Sequence, residues 1–167
     1  IGLECALQTH PNIALISEEV AAKKQTLDDI VTLMAGIVAK RSEKGLNFGV
    51  ALIPEGLIEF IPEFKTLISE LNDLLAHESD AFAKLAGVNE KLAFVNHKLS
   101  KDSSYVFSSM PQDIQLQLCL DRDPHGNVQV SQIATEKLLA EMVSQKLKEW
   151  KAEGKYKGKF STQLHFF

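Results

Sequence analysis

The ten residues Asn47-Phe48-Gly49-Val50-Ala51-Leu52-Ile53-Pro54-Glu55-Gly56 constrain the fold of this chain more than any others. An apolar run rich in Val, Leu and Ile, closed by turn residues, predicts a strand covered on both faces, as in a parallel sheet. Pro54 cannot donate to a ladder and Gly56 fills no space, so the strand must end there. Between them stands one carboxylate, Glu55, just past the carboxyl end of the strand, where open α/β sheets bind their ligands. A strand-end acid of this kind is structural about as often as it is functional.

The residues before this run supply the rest of a βαβ unit. Residues 1–9 read as the end of a helix closed by Pro11, and Asn12 to Ile16 as a short strand. Thr26 with Asp29 three residues on predicts a capping box, with Asp as a shorter variant of the usual Glu. Leu27, Ile30, Val31, Met34, Ile37 and Val38 hold helical spacing. Lys40, Arg41 and Lys44 suit the negative end of the helix dipole, and Gly45 stops the helix. A strand, a helix and a strand in this order form a parallel crossover.

After Gly56 the pattern turns helical. Pro62 opens a helix with Phe64, Leu67, Ile68, Leu71, Leu74 and Leu75 on one face. Ser79 begins an Ala-rich helical stretch that Gly87 interrupts, and another helix is predicted from about Asn89 to Leu99. Lys101 to Ser109 reads as a polar loop. Ser109, Pro111 and Gln112 give a helix start, although the alternation of Ile114, Leu116, Leu118 and Leu120 also fits a strand. Asp123-Pro124-His125-Gly126-Asn127 is a turn. A long amphipathic helix follows, carrying Leu138, Leu139, Met142, Val143, Leu147 and Trp150 and ending near Gly154. Phe160, Thr162, Leu164 and Phe166 alternate like a strand returning to a sheet. The expected organisation is an α/β part made of residues 1–61 and 155–167, with residues 62–154 as a mainly helical insertion.

Composition excludes several function classes. A net charge of −4 and a pI near 5.7, with no basic surplus, argue against nucleic-acid or anionic-membrane partners. No apolar run approaches the roughly 20 residues that cross a bilayer, and no secretory signal opens the chain. Cys5 and Cys119 lack paired spacing, which predicts two buried thiols in a reducing compartment and fits the cytoplasm. The chain starts at Ile1 without Met and finishes on Leu164-His165-Phe166-Phe167, so a piece of a larger protein is expected.

Other candidate chemistry is weak. Asp121-Arg122-Asp123-Pro124-His125-Gly126 imitates the start of a calcium loop, but His125 replaces an oxygen ligand and Gln132 stands where a bidentate Glu is needed. A turn held by Asx hydrogen bonds is the better reading. His10, His77, His97, His125 and His165 have no spacing that suits zinc. Lys146, Lys148, Lys151, Lys155, Lys157 and Lys159 form a basic cluster that is either a solvated helix end or a phosphate-attracting patch. Glu18 and Glu19, after the first strand, are ligands or a helix opening. Nucleophile elbows and phosphate-cradling glycine loops are missing. Glu55 remains the strongest single candidate.

The order of elements resembles one region of the phosphofructokinase superfamily. The matching stretches are Leu3 to Thr9, Asn12 to Glu19, Thr26 to Lys44 and Phe48 to Gly56. The wording is closer still to the long, pyrophosphate-dependent family. Leu3-Glu4-Cys5-Ala6-Leu7-Gln8-Thr9-His10-Pro11-Asn12, Ile53-Pro54-Glu55-Gly56-Leu57, the run Asp121 to Ser131, and Gly158-Lys159-Phe160-Ser161 all resemble it. The resemblance spans essentially the whole chain.

What the resemblance implies is an α/β fold containing part of a phosphofructokinase-like parallel sheet. The implied activity is reversible phosphoryl transfer in glycolysis from pyrophosphate to fructose 6-phosphate, giving fructose 1,6-bisphosphate, with magnesium. The implied parent is cytoplasmic and a homodimer or higher oligomer. Glu55 would hydrogen-bond sugar hydroxyls, with Pro54 and Gly56 shaping its loop. Phosphoryl transfer also needs a metal, a base and cations on the migrating group. The family's Gly-Gly-Asp-Asp, Thr-Ile-Asp, Met-Gly-Arg and Tyr-Glu-Gly-Arg motifs are not in this sequence. No catalytic residue and no magnesium ligand is therefore assigned here, and the chain alone is expected to be inactive. The alternatives are a non-catalytic regulatory subunit or helical interaction module of the same family, or another sugar-phosphate-binding α/β protein.

Overall fold

The structure is a computed structural model and describes residues 2–165. It is mostly helical, with one small parallel sheet, and divides into two compact units. The first runs to Leu57 and resumes at Ala134, and the second is Ile58–Ile133.

In the first unit, α1 (Gly2–Thr9) leads to β1 (Ile13–Ala14), the short helix α2 (Ser17–Ala22), the long helix α3 (Leu27–Glu43) and β2 (Ala51–Leu52). The strands are parallel, Ile13 facing Ala51 and Ala14 facing Leu52. The capping box forms as the sequence predicts. Asp29 N–H donates to Thr26 Oγ1 at 3.1 Å and Thr26 N–H to Asp29 Oδ2 at 2.9 Å. The backbone bond to Thr26, followed by its hydroxyl, holds the Asp29 carboxyl below its ordinary value. Helix α3 buries Leu27, Ile30, Val31, Met34, Ala35 and Ala39 against α9 (Thr135–Ala152). The facing residues are Leu138, Leu139, Val143 and Leu147, and Lys146 Nζ reaches Asp28 at 2.8 Å.

Several expectations are corrected. The run 47–56 is not a strand buried on both faces: only Ala51 and Leu52 pair, and Phe48 and Val50 are 77% and 65% exposed. Among the described residues β2 has a single ladder neighbour, β1, and its own residues Ala51 and Leu52 are exposed and half-buried, respectively. Helix α9 falls in the first unit rather than with the residues before it, because its apolar stripe matches that of α3. Residues 160–165 form no strand, having no ladder partner, and Phe166 lies outside the described residues. No helix among the described residues is long and apolar enough to cross a membrane.

The second unit is all-helical apart from its loops, with α4 (Pro62–His77), α5 (Ser79–Ala83), α6 (Val88–Lys98), α7 (Lys101–Ser109) and α8 (Gln112–Leu120). Phe64, Leu67 and Leu71 of α4 are fully buried and meet α6, α7 and α8. The expected polar loop is helix α7, capped by Ser100 and burying Ser103, Val106 and Phe107. The alternating stretch is helix α8, which buries Ile114, Leu118 and Cys119 and leaves Leu120 exposed. Burial pushes the Cys119 thiol up to about 12, with Arg122 opposing, so it is an inert packing group.

Glu70 ties α4 to the start of α7. Its carboxylate accepts from Ser100 N–H at 2.9 Å and from Ser100 Oγ at 2.7 Å. Desolvation works against the ionised form, but the bonds from Ser100 and Ser103 outweigh it and hold the carboxyl below its ordinary value of 4.5. A folded value that is depressed contributes stability above 4.5, and the contribution is lost as the pH falls through the folded value. Glu70→Gln is therefore expected to lower the Tm at pH 7 and to flatten its fall between pH 5 and pH 3. Circular dichroism melts across that range check it, and parallel Tm–pH curves for the two proteins would refute it.

Candidate functional site

The carboxyl end of the sheet is built by two short exits. Because β1 and β2 are parallel and in register, the residues following each emerge on the same end of the sheet. After β1 come Leu15, Ile16 and Ser17, then Glu18 and Glu19 in the first turn of α2. Glu19 pairs with Lys23 one turn on, an exposed helix-surface contact that contributes little. After β2 come Ile53, Pro54, Glu55 and Gly56.

Pro54 to Leu57 form a tight turn, in which Leu57 N–H donates to the Pro54 carbonyl at 3.3 Å. Gly56 has φ +72°, the left-handed value that a type II turn requires at its third position. Leu57 is fully buried and anchors the far side of the turn, and Glu55 stands on the exposed apex. The carboxylate is thus presented to solvent at the strand tip, as the sequence predicts for its position.

The remaining candidates separate from it. Lys146 is taken by Asp28, Lys151 Nζ reaches the Gly158 carbonyl at 3.3 Å, and Lys155 pairs with Glu153 at 2.6 Å. An open pocket of about 530 Å³ lies by the C-terminal end of α3, lined by Ser42, Glu43, Gly154, Lys155, Tyr156 and Lys157. The last turn of α3 meets the amino end of β2, where Arg41 Nη2 donates to the Phe48 carbonyl at 3.0 Å. The pocket and its lysines therefore sit at the opposite end of the sheet from Glu55.

The Asp123 turn closes on itself. Asp123 Oδ1 accepts from the His125 and Asn127 N–H groups, both at 2.8 Å, and Gly126 takes φ +88°. The backbone bond to Asn127 chiefly holds the Asp123 carboxyl below its ordinary value. This is the Asx-bonded turn of the sequence reading. His77 Nδ1 lies 2.7 Å from the Asp73 carbonyl on its own helix. Among the described residues no three His, Cys, Asp or Glu side chains converge to hold a metal. The residues present do not fit a magnesium site.

Sequence reading missed Asn12, Arg41 and Gly49, which gather at the amino end of β2. Asn12 Oδ1 accepts from Val50 N–H at 2.9 Å, 38 positions along the chain. Arg41 reads locally as a cation suited to a helix end, and Gly49 as one residue of an apolar run.

A parallel βαβ element with an acid just past its second strand defines a partial α/β segment. No family model matches the chain. Relatives do, over its whole length. It is 57% identical over 167 residues to the pyrophosphate–fructose 6-phosphate 1-phosphotransferase of Porphyromonas gingivalis. It is 52% identical over 167 residues to subunit beta 1 of the Arabidopsis thaliana enzyme of that name. Subunit alpha 2 from the same plant is 41% identical over 168 residues. The chain spans 30%, 28% and 25% of these relatives' lengths, respectively. By sequence the chain matches, over its whole length, one segment of the pyrophosphate–fructose 6-phosphate 1-phosphotransferases.

Proposed function

We propose that this chain is part of a pyrophosphate-dependent phosphofructokinase, which transfers phosphate reversibly between pyrophosphate and fructose 6-phosphate. The observation that carries this reading is 57% identity over every residue of the chain to a relative whose name states that substrate pair. Glu55 is the sugar contact. A carboxylate at an exposed turn accepts two hydroxyl donors in a fixed direction, and charge-assisted bonds are the stronger kind. Pro54 and Gly56 hold the turn that aims it.

The first compact unit serves as part of the sugar-phosphate-binding α/β domain, with a phosphofructokinase-like sheet, and Ile58–Ile133 as its helical insertion. The exposed Phe48 and Val50 support this, since a strand with this composition calls for neighbours that a longer polypeptide would supply. Magnesium, the catalytic base and the cations that bind phosphate belong to residues outside this sequence. The whole enzyme works in the cytoplasm as a homodimer or higher oligomer. The relatives' names carry the transferase activity itself, so a regulatory subunit or bare interaction module is not favoured.

Full-length protein is expected to convert fructose 6-phosphate and pyrophosphate to fructose 1,6-bisphosphate in a coupled assay. The isolated 167-residue chain is expected to be silent, because the absent acids and cations supply most transition-state stabilisation. A full-length protein with no pyrophosphate-dependent turnover would overturn the assignment. Turnover by the isolated chain would overturn the placing of the chemistry elsewhere.

A further inference from the structure

Strand β2 has two ladder positions, too few to fix its register against β1 by backbone pairing alone. Backbone bonds from Ile13 N–H to the Val50 carbonyl at 3.2 Å and from Leu15 N–H to the Leu52 carbonyl at 3.0 Å flank the ladder, and contacts at its amino end add to them. Asn12 addresses Val50 twice: its N–H donates to the Val50 carbonyl at 2.8 Å, and its Oδ1 accepts the Val50 N–H at 2.9 Å. From α3, Arg41 donates Nη2 to the Phe48 carbonyl at 3.0 Å and lays its guanidinium over the Phe48 ring, 5.9 Å from the centroid. Its Nε is buried with no hydrogen-bond partner, so the head group is held by fit rather than by solvent.

Gly49 makes room for the Asn12 side chain, with Arg41 in ordinary contact beside it. A Cβ there would stand 3.0 Å from Asn12 Oδ1 and 3.7 Å from Arg41 Nε. Three residues from a loop, a helix end and a strand approach thus meet around one stretch of backbone.

We propose that Asn12, Arg41 and Gly49 form a register clamp that positions Glu55. The inference rests on the reading of Glu55 as a sugar contact. A slip of one residue would carry the strand tip about 3.3 Å along its axis and reverse the face of every side chain on it. Either displacement takes a carboxylate out of hydrogen-bond reach of a bound hydroxyl. The clamp residues touch no substrate. They act through the strand.

The test uses the full-length protein. Asn12→Ala and Arg41→Gln are expected to raise KM for fructose 6-phosphate by about tenfold to a hundredfold, the scale of a 1 Å misplacement, with KM for pyrophosphate unchanged. Asn12→Asp keeps an acceptor oxygen for Val50 and should restore the sugar KM. In a Glu55→Gln background, Asn12→Ala should add little, because the contact it positions is already gone. Amide exchange at Val50 and Leu52 should quicken in Asn12→Ala and not in Asn12→Asp. Unchanged exchange in Asn12→Ala, or an equal rise in both KM values, overturns the clamp. An unchanged sugar KM in Glu55→Gln instead overturns the reading of Glu55, while the exchange result still decides whether the clamp exists.

Discussion

Expressed by itself, the segment Ile58–Ile133 is expected to fold cooperatively, and Phe64→Ala is expected to remove most of that stability. The segment closes a core of its own: Phe64, Leu67 and Leu71 on α4 are fully buried, as are Val95, Phe107 and Leu118 on the helices around it. A polar network inside it is bonded within the segment. Asn72 Oδ1 accepts from Arg122 Nη1 at 2.9 Å and from Val128 N–H at 2.8 Å, and Arg122 Nη2 donates to the Leu118 carbonyl at 3.1 Å. Phe64 is among the largest side chains with no exposure, and truncating such a residue costs about 3–5 kcal/mol. A domain this small has a total stability on the order of 5 kcal/mol. Tyr105, 70% exposed on α7, is the control, and Tyr105→Ala should cost about 0.5 kcal/mol or less. Urea melts followed by circular dichroism measure all three proteins. An excised segment with no unfolding transition, or Phe64→Ala costing no more than Tyr105→Ala, would refute the claim.

How much of this was readable beforehand depends on how local each cause is. Helix α3 was legible because its start signal, stripe and stop lie within twenty residues, and Asp29 reaches Thr26 despite its shorter side chain. Helix α7 was not. Its residues Lys101-Asp102-Ser103-Ser104 look like loop chemistry, and part of what holds its start is Glu70, thirty residues earlier. For α8, Ile114 and Leu118 lie four positions apart, a spacing that an alternating strand and a helix face both satisfy, so periodicity alone could not decide. The destination of α9 depended on a matching stripe on α3, more than ninety positions upstream, which no window contains.

The strand tip itself was legible, because Pro54 and Gly56 dictate where β2 ends and Gly56 adopts the left-handed backbone that the turn demands. The cover over β2 was not: an apolar run states what a strand needs on its faces, and not what supplies it. The clamp was invisible for a related reason, since the space at Gly49 has meaning only once Asn12 and Arg41 are folded against it.

In the full-length protein, Glu55→Gln is expected to lower kcat/KM for fructose 6-phosphate by roughly tenfold to a hundredfold while leaving KM for pyrophosphate unaltered. Gln matches Glu in size and reach, so the turn from Pro54 to Leu57 should survive and the effect should report chemistry rather than folding. What changes is charge and acceptor count: a carboxylate offers two acceptor oxygens, and an amide offers one acceptor and a donor. Hydrogen bonds to a charged group contribute about 1.5–3 kcal/mol each, which sets the expected range. Glu55→Asp keeps the charge but withdraws it by one methylene, and should recover part of the loss. Steady-state kinetics with each substrate varied in turn separates the cases. An equal fall for both substrates would point to a damaged fold, and no change would make the acid a bystander at the strand tip. Gly56→Ala gives an independent approach to the same point. Nothing lies within 4 Å of an added Cβ, so its only penalty is the φ of +72°, an intrinsic cost on the order of 1 kcal/mol. If the carboxylate works by being aimed, that small backbone strain should raise the sugar KM out of proportion to its effect on Tm.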